Sequence, residues 1–219
     1  YVRVTAESND MDDNLSHGNT SGVDGGCSSQ GLYLLGRLQV NDGTFYLGNA
    51  EAINFRDEAP GSVVMNGGNL EANQIAVSSS ASAGNYSFYM SGGTVNLTGE
   101  FCADTDNALL HLNNSEMVFT MTGGEINIEG TAPTDPGETN GILISSSEGN
   151  YNVTGGIVNI DNPGGGTVEI NSTANFYNLN VIQNSDAVLQ SGLEITKDLT
   201  IENGAALDAD GNDLSIGRD

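Results

Sequence analysis

The chain has no tryptophan, four prolines, two cysteines and two histidines in 219 residues, and only five residues are Lys or Arg. Each shortage excludes something. Against 29 Asp and Glu, five basic residues leave a net charge of −24. Phosphate backbones cannot be neutralised at that balance, so nucleic-acid binding is excluded. The same charge opposes docking on an anionic membrane. No apolar run approaches the ~18 residues of a membrane span, which excludes helical membrane insertion. Two cysteines do not make a disulfide framework. The single lysine, Lys197, sits in an ITKDL segment, so there is no phosphate-binding P-loop. The chain opens at Tyr1 with no signal-peptide pattern, and is expected to be an excised piece of a longer protein.

What the chain has in abundance is Gly (30) and Asn (27), together about a quarter of its residues. Both favour turns, and Gly costs roughly 1 kcal/mol in a helix interior relative to Ala. Five segments align without gaps: LQVNDGTFYL from Leu38, VVMNGGNLEA from Val63, FYMSGGTVNL from Phe88, FTMTGGEINI from Phe119 and YNVTGGIVNI from Tyr151. Each alternates apolar and polar residues with the period of a half-buried strand. Four apolar columns result. They begin at Leu38, Val40, Phe45 and Leu47 and end at Tyr151, Val153, Val158 and Ile160. Between the second and third columns lies a Gly pair or Asp-Gly, from Asp42-Gly43 to Gly155-Gly156, so each unit reads strand, corner, strand.

Stacking requires every unit to repeat in the same phase, because each coil sits on its own copy; hairpins do not. The expected fold is all-β: a right-handed parallel β-helix, or β-solenoid, of about six to eight coils of ~25 residues with loop insertions. Asn96, Asn127 and Asn159 share one outward position and are expected to form an amide ladder. Insertions are expected within Asp104–Asn114 and at Thr131–Asn140, where two of the prolines lie. The segment Leu199–Gly204 is similar to Leu38–Gly43. Residues 1–30 are polar and lack alternation, and are expected to be a lead, cap or loop. Residues 31–219 are expected to form a single β-helix domain, a fragment of a longer repeat protein.

The 25-residue period places Cys27, Ala52, Val77 and Cys102 in one small, apolar column. Three coils at ~4.8 Å put the two cysteines roughly 14 Å apart, beyond the ~7 Å that a disulfide spans. They are expected to be free thiols unless residues 1–30 fold back. His17 and His111 belong to no metal-binding pattern and are expected at the surface. No GxSxG elbow or helix-opening GxGxxG occurs. Glu71, Glu100, Asp104, Asp106 and Glu125 point outward and read as a solvated coat. A cleaving β-helix would need clustered carboxylates. Calcium is the one cofactor considered. Its candidate ligands are Asp10, Asp12 and Asp13 in one oxygen-rich run, and Asp208, Asp210 and Asn212 in another. The second run has EF-hand-like spacing but carries Asp213 where that loop needs Gly.

The MSGGTVNL, MTGGEINI and VTGGIVNI units, and the tail from Phe176, resemble coils of large secreted repeat proteins of bacteria. These are the β-helical, adhesin-like surface proteins of the Bacteroidota group. The resemblance covers residues 32–219 and carries no catalytic residue. It implies a structural or adhesive segment of an extracellular, cell-surface protein: a stalk, filament or adhesin rather than an enzyme. The implied partners are adjoining coils of the same long protein, like chains, or surface glycans. A carbohydrate-binding or carbohydrate-cleaving β-helix using an acidic face is the alternative, with Tyr46 and Tyr89 as its outward aromatics.

Overall fold

The computed structural model describes residues 10–11, 15–18, 31–34, 36–47, 52–55, 60–77, 86–99, 108–132 and 138–217. Among these there is no helix, and the strands form two sheets that are almost wholly parallel. This all-β stack of parallel rungs is compatible with a β-solenoid.

The first sheet is built where the sequence alternates. Its rungs are Arg37–Val40, Ser62–Met65, Ser87–Met90, Val118–Ile128, Tyr151–Ile160, Phe176–Val181, Leu193–Ile201 and Leu214–Ile216. Leu38, Val63, Phe88, Phe119 and Tyr151 are mutually in register. So are Phe45, Leu70, Val95, Ile126 and Val158, through the strands Thr44–Tyr46, Asn69–Ala72 and Thr94–Leu97. Inward side chains of these columns fuse into one core with Leu32, Ile53, Ile75, Leu110, Ile142 and Ile170 of the other sheet. Phe88 and Phe119 stack in that core with ring centroids 5.9 Å apart. Burying each contributes about 1.5–3 kcal/mol.

The corners stack on one another as well, with register shifts where Val118–Ile128 meets Tyr151–Ile160 and where Phe176–Val181 meets Leu193–Ile201. Gly43, Gly68, Gly93, Gly124 and Gly156 all have φ between 67° and 90°, the left-handed region that side chains with a Cβ avoid. The backbone ladder runs on through the bend: Asn69, Thr94 and Glu125 donate their N–H groups to Gly43, Gly68 and Gly93 carbonyls at 2.8–2.9 Å. A Cβ on Gly124 would lie 2.5 Å from Met90 Cε and 2.8 Å from the Gly93 carbonyl oxygen.

The second sheet was not apparent as a repeat. It comprises Gly31–Leu34, Ala52–Phe55, Gln74–Val77, Leu110–Leu112, Ile142–Ile144, Val168–Ser172, Asp186–Leu189 and Ala206–Asp208. Its column Ile53, Ile75, Leu110, Ile142, Ile170, Leu189 has no constant spacing. One expectation changes as a result. Ala52 pairs with Gln74 and Val77 with Leu112, so the proposed column through Ala52 and Val77 does not exist. Cys27 and Cys102 themselves lie outside the described residues. Within Asp104–Asn114, where an insertion is expected, Leu110–Leu112 form a buried strand, and residues 104–107 lie outside the described residues. Leu199 is in register with Leu179, which extends the column of Val158 rather than that of Leu38. In this region Phe176–Val181 runs without a Gly pair, and its rungs are shorter.

Two short strands of the polar lead lie on the first rungs and run antiparallel to them. Asp10–Met11 pairs with Leu38–Gln39, and Leu15–Gly18 with Gly31–Leu34. The Thr131–Asn140 loop is closed at its base by the Ala132 N–H donating to the Asn140 carbonyl at 2.9 Å.

Gly124→Ala is expected to destabilise the fold by about 1–3 kcal/mol through backbone strain and the corner clash. Gly164 has a similar φ of 74° but open space around its Cβ position, so Gly164→Ala should cost less. Urea denaturation of both variants measures the difference, which isolates the packing of corner on corner.

Candidate functional site

The most regular side-chain arrangement lies just past the corner. Asn127 Nδ2 donates to Asn96 Oδ1 at 2.7 Å, Asn159 Nδ2 to Asn127 Oδ1 at 2.7 Å, and Asn180 Nδ2 to Asn159 Oδ1 at 3.0 Å. Asn96 Nδ2 ends the run on Asn69 Oδ1 at 3.2 Å. The expected three-rung ladder is therefore four rungs long with an amide terminus. Asn180 was legible in the sequence, since it stands between Leu179 and Val181 as Asn159 stands between Val158 and Ile160. A shorter polar row precedes the corner: Asn66 Nδ2 donates to Asn41 Oδ1 at 2.7 Å and Ser91 Oγ to Asn66 Oδ1 at 3.2 Å. These bonds are neutral, so the acid coat neither strengthens nor screens them.

The calcium candidates are divided by the structure. Asp10 lies in the strand Asp10–Met11; Asp12 and Asp13 lie outside the described residues. Asp208 and Asp210 share a tight turn in which the Asp210 N–H donates to Asp208 Oδ1 at 2.9 Å. Asp210 and Gly211 carry φ values of 47° and 78°. Asn212 donates its N–H to the Ala209 carbonyl at 2.8 Å and its Nδ2 to the Leu189 carbonyl one rung away at 2.9 Å. The Asp208 and Asn212 side chains thus bond to main chain and shape a corner. Among the described residues, no group of three or more His, Cys, Asp or Glu side chains could hold a metal ion.

Of the outward carboxylates, Glu71 accepts Asn69 Nδ2 at 2.6 Å and continues the amide column, whereas Glu125 occupies the column of Thr94 and Ile157. Glu100, Asp104 and Asp106 lie outside the described residues. Tyr46 and Tyr89 are 58% and 38% exposed, but they stand on opposite sides of the glycine corner. Tyr46 is in register with Glu71, and Tyr89 with Val64 and Thr120. An open trough of about 580 Å³ follows the corner, floored by Gly93, Gly124 and Gly156 and edged by Glu125 and Asn178.

His111 corrects a surface expectation. It is buried, in register with Ala76 and Leu143, and its Nδ1 accepts the Ala108 N–H at 3.1 Å. Desolvation lowers its pKa from 6.5 to about 4. The surface expectation rested on the lack of a metal-binding pattern, which says nothing of whether the outer face of Leu110–Leu112 is covered. His17 lies in Leu15–Gly18, opposite Leu32.

No family model, no curated protein and no solved structure matches the chain.

Asn127→Ala leaves one amide acceptor and one amide donor of its neighbours without a partner, and is expected to cost about 1–3 kcal/mol. Asn180→Ala, at the end of the run, should cost less; equilibrium unfolding of the two variants tests the order. For His111 the sign follows from proton uptake. Between pH 6.5 and 4 the unfolded chain binds a proton here and the folded chain does not. Its effect is absent above 6.5, and it removes stability as pH falls toward 4, by about 3 kcal/mol at most. His111→Asn keeps an acceptor for Ala108 without titrating. Denaturation midpoints across this range should fall more steeply for the parent protein than for the variant; parallel curves would exclude the effect.

Proposed function

We propose that this chain is a structural or adhesive segment of a bacterial extracellular, cell-surface protein. In this reading it is a stalk, filament or adhesin of the Bacteroidota adhesin-like kind, without catalysis. The finer architecture is a right-handed β-helix of about six to eight coils averaging ~25 residues, the hand following from the right-handed preference of parallel crossovers. The observation that carries the reading is the continuity of the ladders. Columns of core side chains, corner glycines and outward amides each run in register from rung to rung. Such a stack resists bending because any tilt between rungs must stretch backbone bonds in both sheets at once.

The partners in this reading are adjoining coils or like chains. In support, Ile201 and Ile216 are 46% and 45% exposed beside the last described rung, a place where an added rung would bury them. Surface glycans are the other partner class. Calcium or another divalent ion has a diffuse role, damping the repulsion of 29 carboxylates. The alternative of a carbohydrate-binding or carbohydrate-cleaving β-helix draws on Tyr46, Tyr89 and the trough edged by Glu125.

Pulled from its two ends in a force instrument, the chain is expected to lengthen in steps of about 80 Å, one ~25-residue rung at ~3.3 Å per residue. Incubated with a panel of neutral and acidic glycans, it should release no reducing sugar. Sustained hydrolysis abolished by Glu125→Gln would replace the structural reading with the carbohydrate one.

A further inference from the structure

The sequence contains three Asn-Gly pairs: Asn66-Gly67, Asn140-Gly141 and Asn203-Gly204. In such a pair the glycine nitrogen can reach the asparagine side-chain carbon, because no Cβ on the glycine blocks the approach. Local sequence therefore makes the three pairs equally reactive, and any difference between them comes from the fold.

Two pairs are held. Asn66 donates Nδ2 to Asn41 Oδ1 at 2.7 Å and accepts Ser91 Oγ on its Oδ1 at 3.2 Å, while the Gly67 N–H points to the Val40 carbonyl at 3.4 Å. Asn140 donates Nδ2 to the Thr167 carbonyl at 3.1 Å and accepts the Glu169 N–H on Oδ1 at 2.9 Å. Its own N–H donates to Glu169 Oε2 at 3.0 Å, and Gly141 is buried. For either asparagine to react, its side chain must first leave bonds to neighbouring rungs.

The third pair is not held. Asn203 and Gly204 are both exposed in the turn closed by the Ala205 N–H donating to the Glu202 carbonyl at 3.1 Å. Gly204 has a φ of 77°, which fits the third position of a type II turn. Among the described residues, neither the Asn203 side chain nor the Gly204 N–H makes a hydrogen bond.

We infer that Asn203 is a selective deamidation site, the one Asn-Gly pair that this fold leaves free to react. Hydroxide removes the Gly204 amide proton. The nitrogen then attacks Asn203 Cγ, forming an N–Cγ bond and closing a succinimide ring. The Cγ–Nδ2 bond breaks, and ammonia leaves after taking a proton from water. A second water opens the ring at one of its two carbonyls, giving aspartate or isoaspartate. No electrons are transferred, and the only co-reactants are water and hydroxide. Either product adds a negative charge beside Glu202, whose carboxylate accepts the Gln183 N–H at 3.0 Å and ties this corner to the rung below. Isoaspartate also lengthens the main chain by one carbon between Leu193–Ile201 and Ala206–Asp208. The corner then no longer superposes on its neighbour, and the rung beyond it is loosened.

The test is to age the folded protein in mildly alkaline buffer and map peptides by mass spectrometry over time. Conversion at Asn203 should outpace conversion at Asn66 and Asn140 by about tenfold or more, the factor that one or two net hydrogen bonds supply. In concentrated urea the three pairs should convert at similar rates. Asn203→Gln should abolish conversion at this corner and leave the other two rates unchanged. Asn66 or Asn140 keeping pace with Asn203 in the folded chain would overturn the inference, as would an unconverted Asn203.

Discussion

The structure depends on one constraint: each rung must superpose on the next in both strands and corners. Parallel pairing gives every backbone N–H and carbonyl a partner only while the register holds. A slip of one residue within a strand would turn the following inward residues outward, whereas the extra residue of Leu193–Ile201 is taken up at its bend and leaves Leu199 over Leu179. The glycines with positive φ follow from this constraint. They recur at the bends of the first sheet, from Gly43 to Gly156. From Gly68 onward the preceding rung, by its backbone and by Met90 or Met121, fills the space that a Cβ would occupy. Composition that looks like a turn-rich sequence is, in the folded chain, one geometric requirement met once per rung.

The charge balance decides how the outside of the stack is held. With five basic residues against 29 acidic ones, cross-rung ion pairs cannot be the general device, and like charges stacked at ~4.8 Å would repel. Neutral amides solve this. Each Asn both donates and accepts, so identical residues can stack indefinitely along a column. The run from Asn96 to Asn180 does so, and where Glu71 enters the same column the amide of Asn69 bonds it. Acidic residues at other outward positions add solubility without being asked to cohere.

The legibility of the sequence follows the same line. The first sheet could be read because alternation, the glycine corner and the amide position recur together, so three signals fix one phase. The second sheet could not. Its strands Leu110–Leu112 and Ile142–Ile144 are short, carry no glycine marker, and are separated by loops of different length. A fixed period projected across them misplaced Ala52 against Val77. Likewise Leu199–Gly204 copies the local pattern of Leu38–Gly43 but occupies another column, since the shorter rungs after Tyr151–Ile160 drop the glycine pair. His111 was misread because the lack of a metal-binding pattern does not report burial, which depends on what packs over the outer face.

The two ends of the described stack differ in kind. At the first rungs both sheets meet strands of opposite direction, Asp10–Met11 and Leu15–Gly18. A reversed strand changes the ladder at that edge from evenly spaced, slanted hydrogen bonds to alternating close and wide pairs. At the last described rungs, Ala206–Asp208 and Leu214–Ile216 have a parallel partner on one side, and the inward column beside them ends in half-exposed isoleucine. Among the described residues, the two edges therefore offer different ladders: an antiparallel strand at the first rungs and a parallel one at the last. The corner at Asn203-Gly204 lies close to that edge, with fewer rungs bearing on it than any corner in the middle of the stack. Local chemistry and local stability thus vary along the axis even though the repeat is the same, because each rung is held by its neighbours and the outermost has the fewest.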